Sequence, residues 1–324
     1  MVRKNKNEVI PSVGSTLSND ATGVRDRLDP ETERLMAASL APNTLRAIRA
    51  DLRVFLGAGG RLPSTGAEVA NFLSSQLKKK RPSTIERYAS SIHTWHRLQG
   101  YDSPVHTVSV RQTLQGIRRT EDTRPKGAPA LSYDDLKRLI DSAPDSGLKA
   151  VQNRAMIALG FHGAFRRSEL VGLLVEDLDF HREGVIVSLR KSKTNQHGRV
   201  EEKPIRRLSK SPDYCPVALL EVWLEESGLT HGPLFPGVRK GNQLNGKAIS
   251  AETFYRKVQD AAQAAGLRDV GYSPHSLRAG YVTEAYRRGA NFIEIKRVSG
   301  HRHQPTLERY IRLSPFEGGE NLFD

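Results

Sequence analysis

Residues 120–129 read Thr-Glu-Asp-Thr-Arg-Pro-Lys-Gly-Ala-Pro, and this stretch constrains the fold more than any other. Charge, proline and glycine in that density can neither bury apolar area nor continue a helix, so the segment predicts a linker with a separate core on each side. The length of 324 residues agrees, being long for one core. Upstream, residues 1–28 are polar and aperiodic and predict a disordered tail. An all-helical domain is expected over 29–119. Helix starts are predicted near Asp29-Pro30-Glu31 and at Asn43-Thr44, the latter with Leu45, Ile48, Leu52 and Phe55 on its apolar stripe. A third helix is predicted over 66–77 and a fifth over 108–119. Between them, Pro82-Ser83-Thr84-Ile85-Glu86 has a capping-box pattern, followed by Ile85, Ala89, Ile92, Trp95 and Leu98 at helical spacing.

With 120–130 as the linker, the second domain spans 131–324. It opens on a helix start at Leu131-Ser132-Tyr133-Asp134-Asp135 and continues with a long apolar helix over 149–161. Val185-Ile186-Val187-Ser188-Leu189 predicts a strand, 191–198 an exposed hairpin turn and 202–208 the return strand. From Val217 onward the pattern reads mainly helical. The fold class expected is mainly α with a small antiparallel β-sheet.

Lys and Arg number 50 against 36 Asp and Glu, a formal charge of +14. Residues 1–125 hold 20 basic and 12 acidic side chains, so both parts carry a positive excess. That balance points to a polyanionic partner, nucleic acid before all others. Cys215 is the single cysteine, which rules out an intrachain disulfide or a cysteine-rich metal site. No apolar run reaches membrane-spanning length and no signal peptide is read at the start, so a cytosolic protein is expected. No glycine-rich nucleotide-binding loop is present.

Three separated motifs carry the chemistry: Arg166-Arg167-Ser168-Glu169-Leu170, His275-Ser276-Leu277-Arg278, and Gly300-His301 with Tyr310 nine positions after the histidine. A phosphodiester is anionic and gains charge on attack. Planar guanidiniums answer both problems by gripping non-bridging oxygens. His275 and Arg278, three apart at a helix start, face the same way. His301 and His303 could be read as a metal pair, but no cysteine or carboxylate cluster accompanies them, so no metal and no cofactor is expected.

In order and spacing these motifs resemble the tyrosine recombinase (integrase) family, over roughly residues 29–315. The resemblance implies that Tyr310 is the nucleophile, forming a 3′-phosphotyrosyl link, with Arg166 and Arg278 as the phosphate clamp. It selects Arg166 over Arg167, which stands one place too late. Glu169 completes the Arg166 motif. His275 would assist proton transfer and His301 would donate a hydrogen bond to the phosphate, with His303 its competitor. Lys193 would protonate the leaving oxygen from the hairpin, with Lys191 as the alternative or a phosphate contact.

The helix layout upstream is similar to that of Cre-like simple recombinases, and implies a two-domain C-shaped clamp on double-stranded DNA. Asn43, Thr44, Arg46, Arg53, Arg81, Ser83, Arg87 and Ser91 would then contact DNA from the first domain, and Lys191 and Arg256 from the second. The family further implies a homotetramer on two inverted-repeat sites, exchange through a Holliday junction, and a bacterial, phage or plasmid source with the protein at the nucleoid. No arm-binding domain is read ahead of residue 29. Residues 311–324 are a poor helix, although Leu322 and Phe323 could anchor a tail in a neighbour. Two rivals stand beside this reading: a type IB topoisomerase-like nicking and closing enzyme, and a DNA-binding protein without catalysis. A metal-dependent nuclease or transposase would need a carboxylate triad, which is not seen in the sequence.

Overall fold

The computed structural model describes residues 31, 39–120, 127–144, 146–189, 200–301, 303–308, 310 and 311, and the backbone of 18–19 and 25–26, which pair antiparallel. The hairpin turn carrying Lys191 and Lys193, the tail with Leu322 and Phe323, and most of the helix start near Asp29 lie outside these residues. The chain divides into two compact units, Met1–Pro125 and Lys126–Asp324.

In the first unit α1 (Pro42–Gly57), α2 (Gly66–Ser75), α3 (Pro82–Leu98) and α4 (Val108–Thr120) enclose one core. Leu52, Phe55, Val69, Leu73, Ile85, Ile92 and Val110 are buried in it. The rings of Phe55 and Phe72 meet edge to face at 5.0 Å. Two helix starts differ from the sequence expectation. Helix α1 begins at Pro42 behind Ala41, and α3 at Pro82 behind Arg81, neither with a side-chain cap. Proline, whose φ is already helical and whose missing N–H costs nothing there, takes the first turn and leaves Ser83 inside the helix. The reciprocal capping box falls instead on α2, between Thr65 and Glu68.

The second unit is built around α6 (Leu148–His162), which is buried on nearly every side from Ala150 to Phe161. Such a helix belongs at the centre of a core. Around it lie α5 (Tyr133–Asp141), the short α7 (Arg167–Val171), α8 (Pro216–Ser227), α9 (Ala251–Ala264) and α10 (Pro274–Arg287), followed in sequence by α11 (Phe292–Ser299) and α12 (Gln304–Glu308). A three-stranded antiparallel sheet, in order β1 (Leu178–His181), β2 (Gly184–Leu189), β3 (Glu201–Arg206), sets Val185 opposite Ile205 and Val187 opposite Lys203.

From Val217 onward the chain is mainly helical, as expected, apart from one short hairpin that the sequence did not indicate. A hairpin of β4 (Pro236–Val238) and β5 (Leu244–Ala248) interrupts it, with Gly241 in the turn and Gly246 within β5 both at positive φ. Its strands are too short and too poor in β-branched residues to show a period. Gly280 admits close packing of α10, since a Cβ there would lie 2.2 Å from the Leu131 carbonyl oxygen. Among the described residues no helix is long and apolar enough to cross a membrane.

Candidate active site

Helix α6 ends at His162 and the chain turns back sharply into α7. Gly163 fits under the Phe165 ring, where a Cβ would lie 2.1 Å away, and Ala164 adopts φ 45°. A left-handed alanine stores roughly 1–2 kcal/mol of strain, held here by the packed core on both sides. The turn leaves Arg166 as the extended residue ahead of α7, with Glu169 one turn in. The Glu169 carboxylate accepts from the Arg166 backbone N–H at 2.9 Å and from its Nη1 at 2.5 Å. Burial opposes ionisation of Glu169, but the Arg166 charge and these hydrogen bonds outweigh it and hold the carboxyl below its ordinary range. Arg166 stays partly exposed while Glu169 is buried, and Arg167 points outward.

Helix α10 starts at Pro274 behind Ser273, which puts His275 at the exposed end and Arg278 one turn deeper. Arg278 is 1% exposed. Its Nη1 donates to the Ala164 carbonyl at 2.6 Å and its Nη2 to His301 Nε2 at 3.1 Å, whereas its Nε–H finds no acceptor among the described residues. A buried donor left unpaired costs about 1–3 kcal/mol, so this edge of the guanidinium is primed for an oxyanion. Burial, followed by repulsion from Arg166, lowers the Arg278 pKa from its ordinary value.

Helix α11 ends on Gly300 at φ 66°, which a side chain would strain and which Glu201 overlies. The next residue, His301, is buried. Guanidinium has no acceptor, so Nε2 of His301 is the unprotonated nitrogen and Nδ1–H donates to Ser299 Oγ at 2.8 Å. Burial, then the charges of Arg278, Arg166, Lys203 and His275, push His301 down to about 3. In this state His301 accepts rather than donates. It can donate to a phosphate only after Arg278 releases Nε2 and a proton arrives, both of which an anionic ligand favours.

Tyr310 follows α12. Its backbone N–H donates to the Leu307 carbonyl at 2.8 Å, and its own carbonyl accepts from Thr283 Oγ1 at 3.0 Å. The ring lies with its centroid 4.6 Å from that of His301 and 5.1 Å from that of His275, and the Arg278 guanidinium carbon is 5.6 Å from it. The structure therefore gathers Arg166, Glu169, His275, Arg278, His301 and Tyr310 in one place. His303 is exposed while His301 is buried and tied to Arg278, so the two do not form a metal pair. Lys193, Lys191 and their turn lie outside the described residues.

A guanidinium pair, two imidazoles and a phenol are thus brought together by three segments far apart in sequence. The phage integrase family model matches residues 129–316, more than half of the chain. The protein belongs to the phage integrase family. Its relatives include an integrase/recombinase xerD homolog of Selenomonas ruminantium, 29% identical over 294 residues that cover 88% of this chain and 86% of that protein. Tyrosine recombinase XerC of Lactobacillus leichmannii is 27% identical over 287 residues, covering 85% and 90%. Among solved structures, the XerH site-specific recombinase bound to a palindromic difH substrate superposes with a TM-score of 0.61 at 17% identity, covering 86% of this chain and 79% of that one, a likeness of fold. As a phage integrase family member this chain is a tyrosine recombinase.

Of the side chains proposed for DNA contact, Asn43, Thr44, Arg46, Arg53, Arg81, Ser83, Arg87 and Arg256 are exposed on α1, α3 and α9 or just before them. Ser91 is not, and its expected role is corrected: it is 4% exposed and donates to Asp51 Oδ2 at 2.8 Å. Asp51, itself buried, also pairs with Arg87 Nη2 at 3.0 Å, so part of the Arg87 charge serves the fold. The sequence reading missed Lys203 beside the site. The signal for it was the period of β3, which sets Lys203 on the same buried face as Ile205.

Proposed function

We propose that Tyr310 is the nucleophile with which this tyrosine recombinase breaks and rejoins DNA. The observation that carries the reading is the seating of the Tyr310 ring against His301, His275 and the Arg278 guanidinium within one unit. In the reaction, the Tyr310 oxygen attacks the phosphorus, the bond from phosphorus to the 5′-oxygen breaks, and the DNA is left with a 3′-phosphotyrosyl end and a 5′-hydroxyl. His275, exposed beside the ring, takes the phenol proton. Arg166 and Arg278 hold the non-bridging oxygens, and charge aimed at the developing phosphorane is the main source of rate. Glu169 fixes the Arg166 fork, and Lys193 supplies the proton to the leaving 5′-oxygen. A 5′-hydroxyl from a second strand reverses the step, so bond energy is conserved and no nucleotide is consumed.

Both units contribute DNA contacts, through Asn43, Thr44, Arg46, Arg53, Arg81, Ser83 and Arg87 in the first and Arg256 and Lys191 in the second. The net charge and the exposure of the described members of this set support that role. The palindromic DNA held by the XerH recombinase favours an inverted-repeat target here, bound by two protomers per site and four on two sites, with strands exchanged in pairs through a Holliday junction. The work is done on DNA at the bacterial nucleoid.

Capture of covalent protein–DNA adducts from denatured cells, with sequencing of the attached DNA, tests the proposal. Wild type is expected to give adducts clustered at one inverted repeat and Tyr310→Phe none. Clustered native binding with no adduct, even on nicked DNA, would leave a DNA-binding protein only. Nicking and closing without exchange between two sites would leave a topoisomerase-like enzyme.

A further inference from the structure

We infer that Lys203 is a positioning residue for strand cleavage, a buried ammonium that fastens the Arg166 turn to the His301 turn. The inference rests on the proposed cleavage reaction and adds to it a residue outside the motifs that identify the site. Lys203 is 1% exposed, on the core face of β3. Its Nζ donates to the Gly163 carbonyl at 3.1 Å and to the Val298 carbonyl. Each acceptor sits at a helix C-terminus, where carbonyls lack intrahelical partners and the helix dipole is negative.

What those two carbonyls precede gives the contact its consequence. Gly163 leads directly into Ala164, whose carbonyl holds Arg278 Nη1, and then to Arg166. Val298 leads into Ser299, whose hydroxyl holds His301 Nδ1, and then to His301 itself. One ammonium therefore links the segments that orient both arginines and the histidine, from behind the site. A hydrophobic side chain would fill the same space and take the ammonium donor away from both carbonyls, the Gly163 one buried, as well as removing a charge that faces Glu169 and Glu201. The Phe165 ring, 5.2 Å from Nζ, closes the remaining side. Burial lowers the Lys203 pKa to about 8 against the pull of Glu169, which leaves the group mainly charged at neutral pH.

The test compares wild type, Lys203→Met and Lys203→Gln on a nicked suicide substrate built from the captured target, with Tyr310→Phe as the blank. Four quantities are read: DNA affinity, melting temperature, the single-turnover rate of adduct formation and the titration of the His301 imidazole by NMR. Lys203→Met is expected to bind DNA as wild type does and to form adduct about 10- to 100-fold more slowly, the scale of a sub-ångström to 1 Å misplacement. Lys203→Gln, which keeps an N–H donor, is expected to fall between. The His301 imidazole, followed by NMR, is expected to titrate higher in Lys203→Met, because Lys203 is one of the charges that suppress it. A folded Lys203→Met that cleaves at the wild-type rate overturns the inference. Failure of both variants to fold also overturns it, by assigning Lys203 to the core alone. Absence of adduct with wild type would instead strike at the cleavage reaction itself.

Discussion

The neutrality of His301 makes a prediction that can be worked through in numbers. Its pKa is about 3 in the folded protein against an ordinary value of 6.5. A folded pKa held below the unfolded one means that the unfolded chain takes up the proton first as pH falls. Stability is then full above pH 6.5 and is lost progressively toward pH 3. Integrated from pH 7 to pH 5, the loss from this one group is about 2 kcal/mol. His301→Gln keeps a side-chain acceptor for Arg278 and has nothing to titrate, so it escapes that part of the loss. His162, pushed down to about 4 by burial, contributes equally to both proteins and cancels in the comparison. Urea unfolding in a Trp95→Phe background reads the second unit through Trp223, the remaining tryptophan, whose Nε1 donates to the Leu234 carbonyl in the core. Wild type should lose about 2 kcal/mol more than His301→Gln between pH 7 and pH 5. Equal losses would refute the reasoning. An anionic phosphate stabilises the imidazolium, so binding of cognate DNA near pH 5 should be accompanied by proton uptake at His301 in wild type and by none at that position in His301→Gln.

Three further outcomes follow from contacts away from the nucleophile. Glu169→Gln should cost about 2–3 kcal/mol at pH 7 by weakening a buried ion pair, and its gap from wild type should close as pH falls through the depressed Glu169 pKa, which denaturant titrations across pH would show. Asp51→Ala strands Ser91 and Arg87 and should destabilise the first unit by about 2–4 kcal/mol, read by Trp95 fluorescence while the second unit's transition stays in place. Gly280→Ala forces a Cβ against the Leu131 carbonyl and the Phe161 ring and should cost about 2–3 kcal/mol, seen as a melting temperature roughly 5–10 °C lower.

The sequence made the long helices and the site motifs legible for different reasons. Helices α1, α3 and α6 carry runs of apolar residues long enough to show a period or a continuous buried stretch, and the motif residues identify themselves by order and spacing. Short elements escaped: β1, β4 and β5 hold three to five residues each, below the length at which alternation means anything. Ser91 was misread because a polar residue beside an apolar stripe has the same pattern whether it faces solvent or a buried partner, and its partner Asp51 lies forty positions away. Lys203 falls inside the predicted return strand, where Ile205 on the same face marks it as buried, but no motif singles it out. In the site itself, the spacing of His301 from Tyr310 pointed to proximity, but the direction of the His301 hydrogen bond came only from the position of Arg278.

The central claim is that one particular phenol, of nine tyrosines, carries the DNA. The most direct measurement is peptide mapping of the covalent adduct by mass spectrometry after nuclease digestion. The account predicts a residual phosphonucleotide on Tyr310 alone. The same mass increment on another tyrosine, such as Tyr281 or Tyr286, or on a serine, would contradict it.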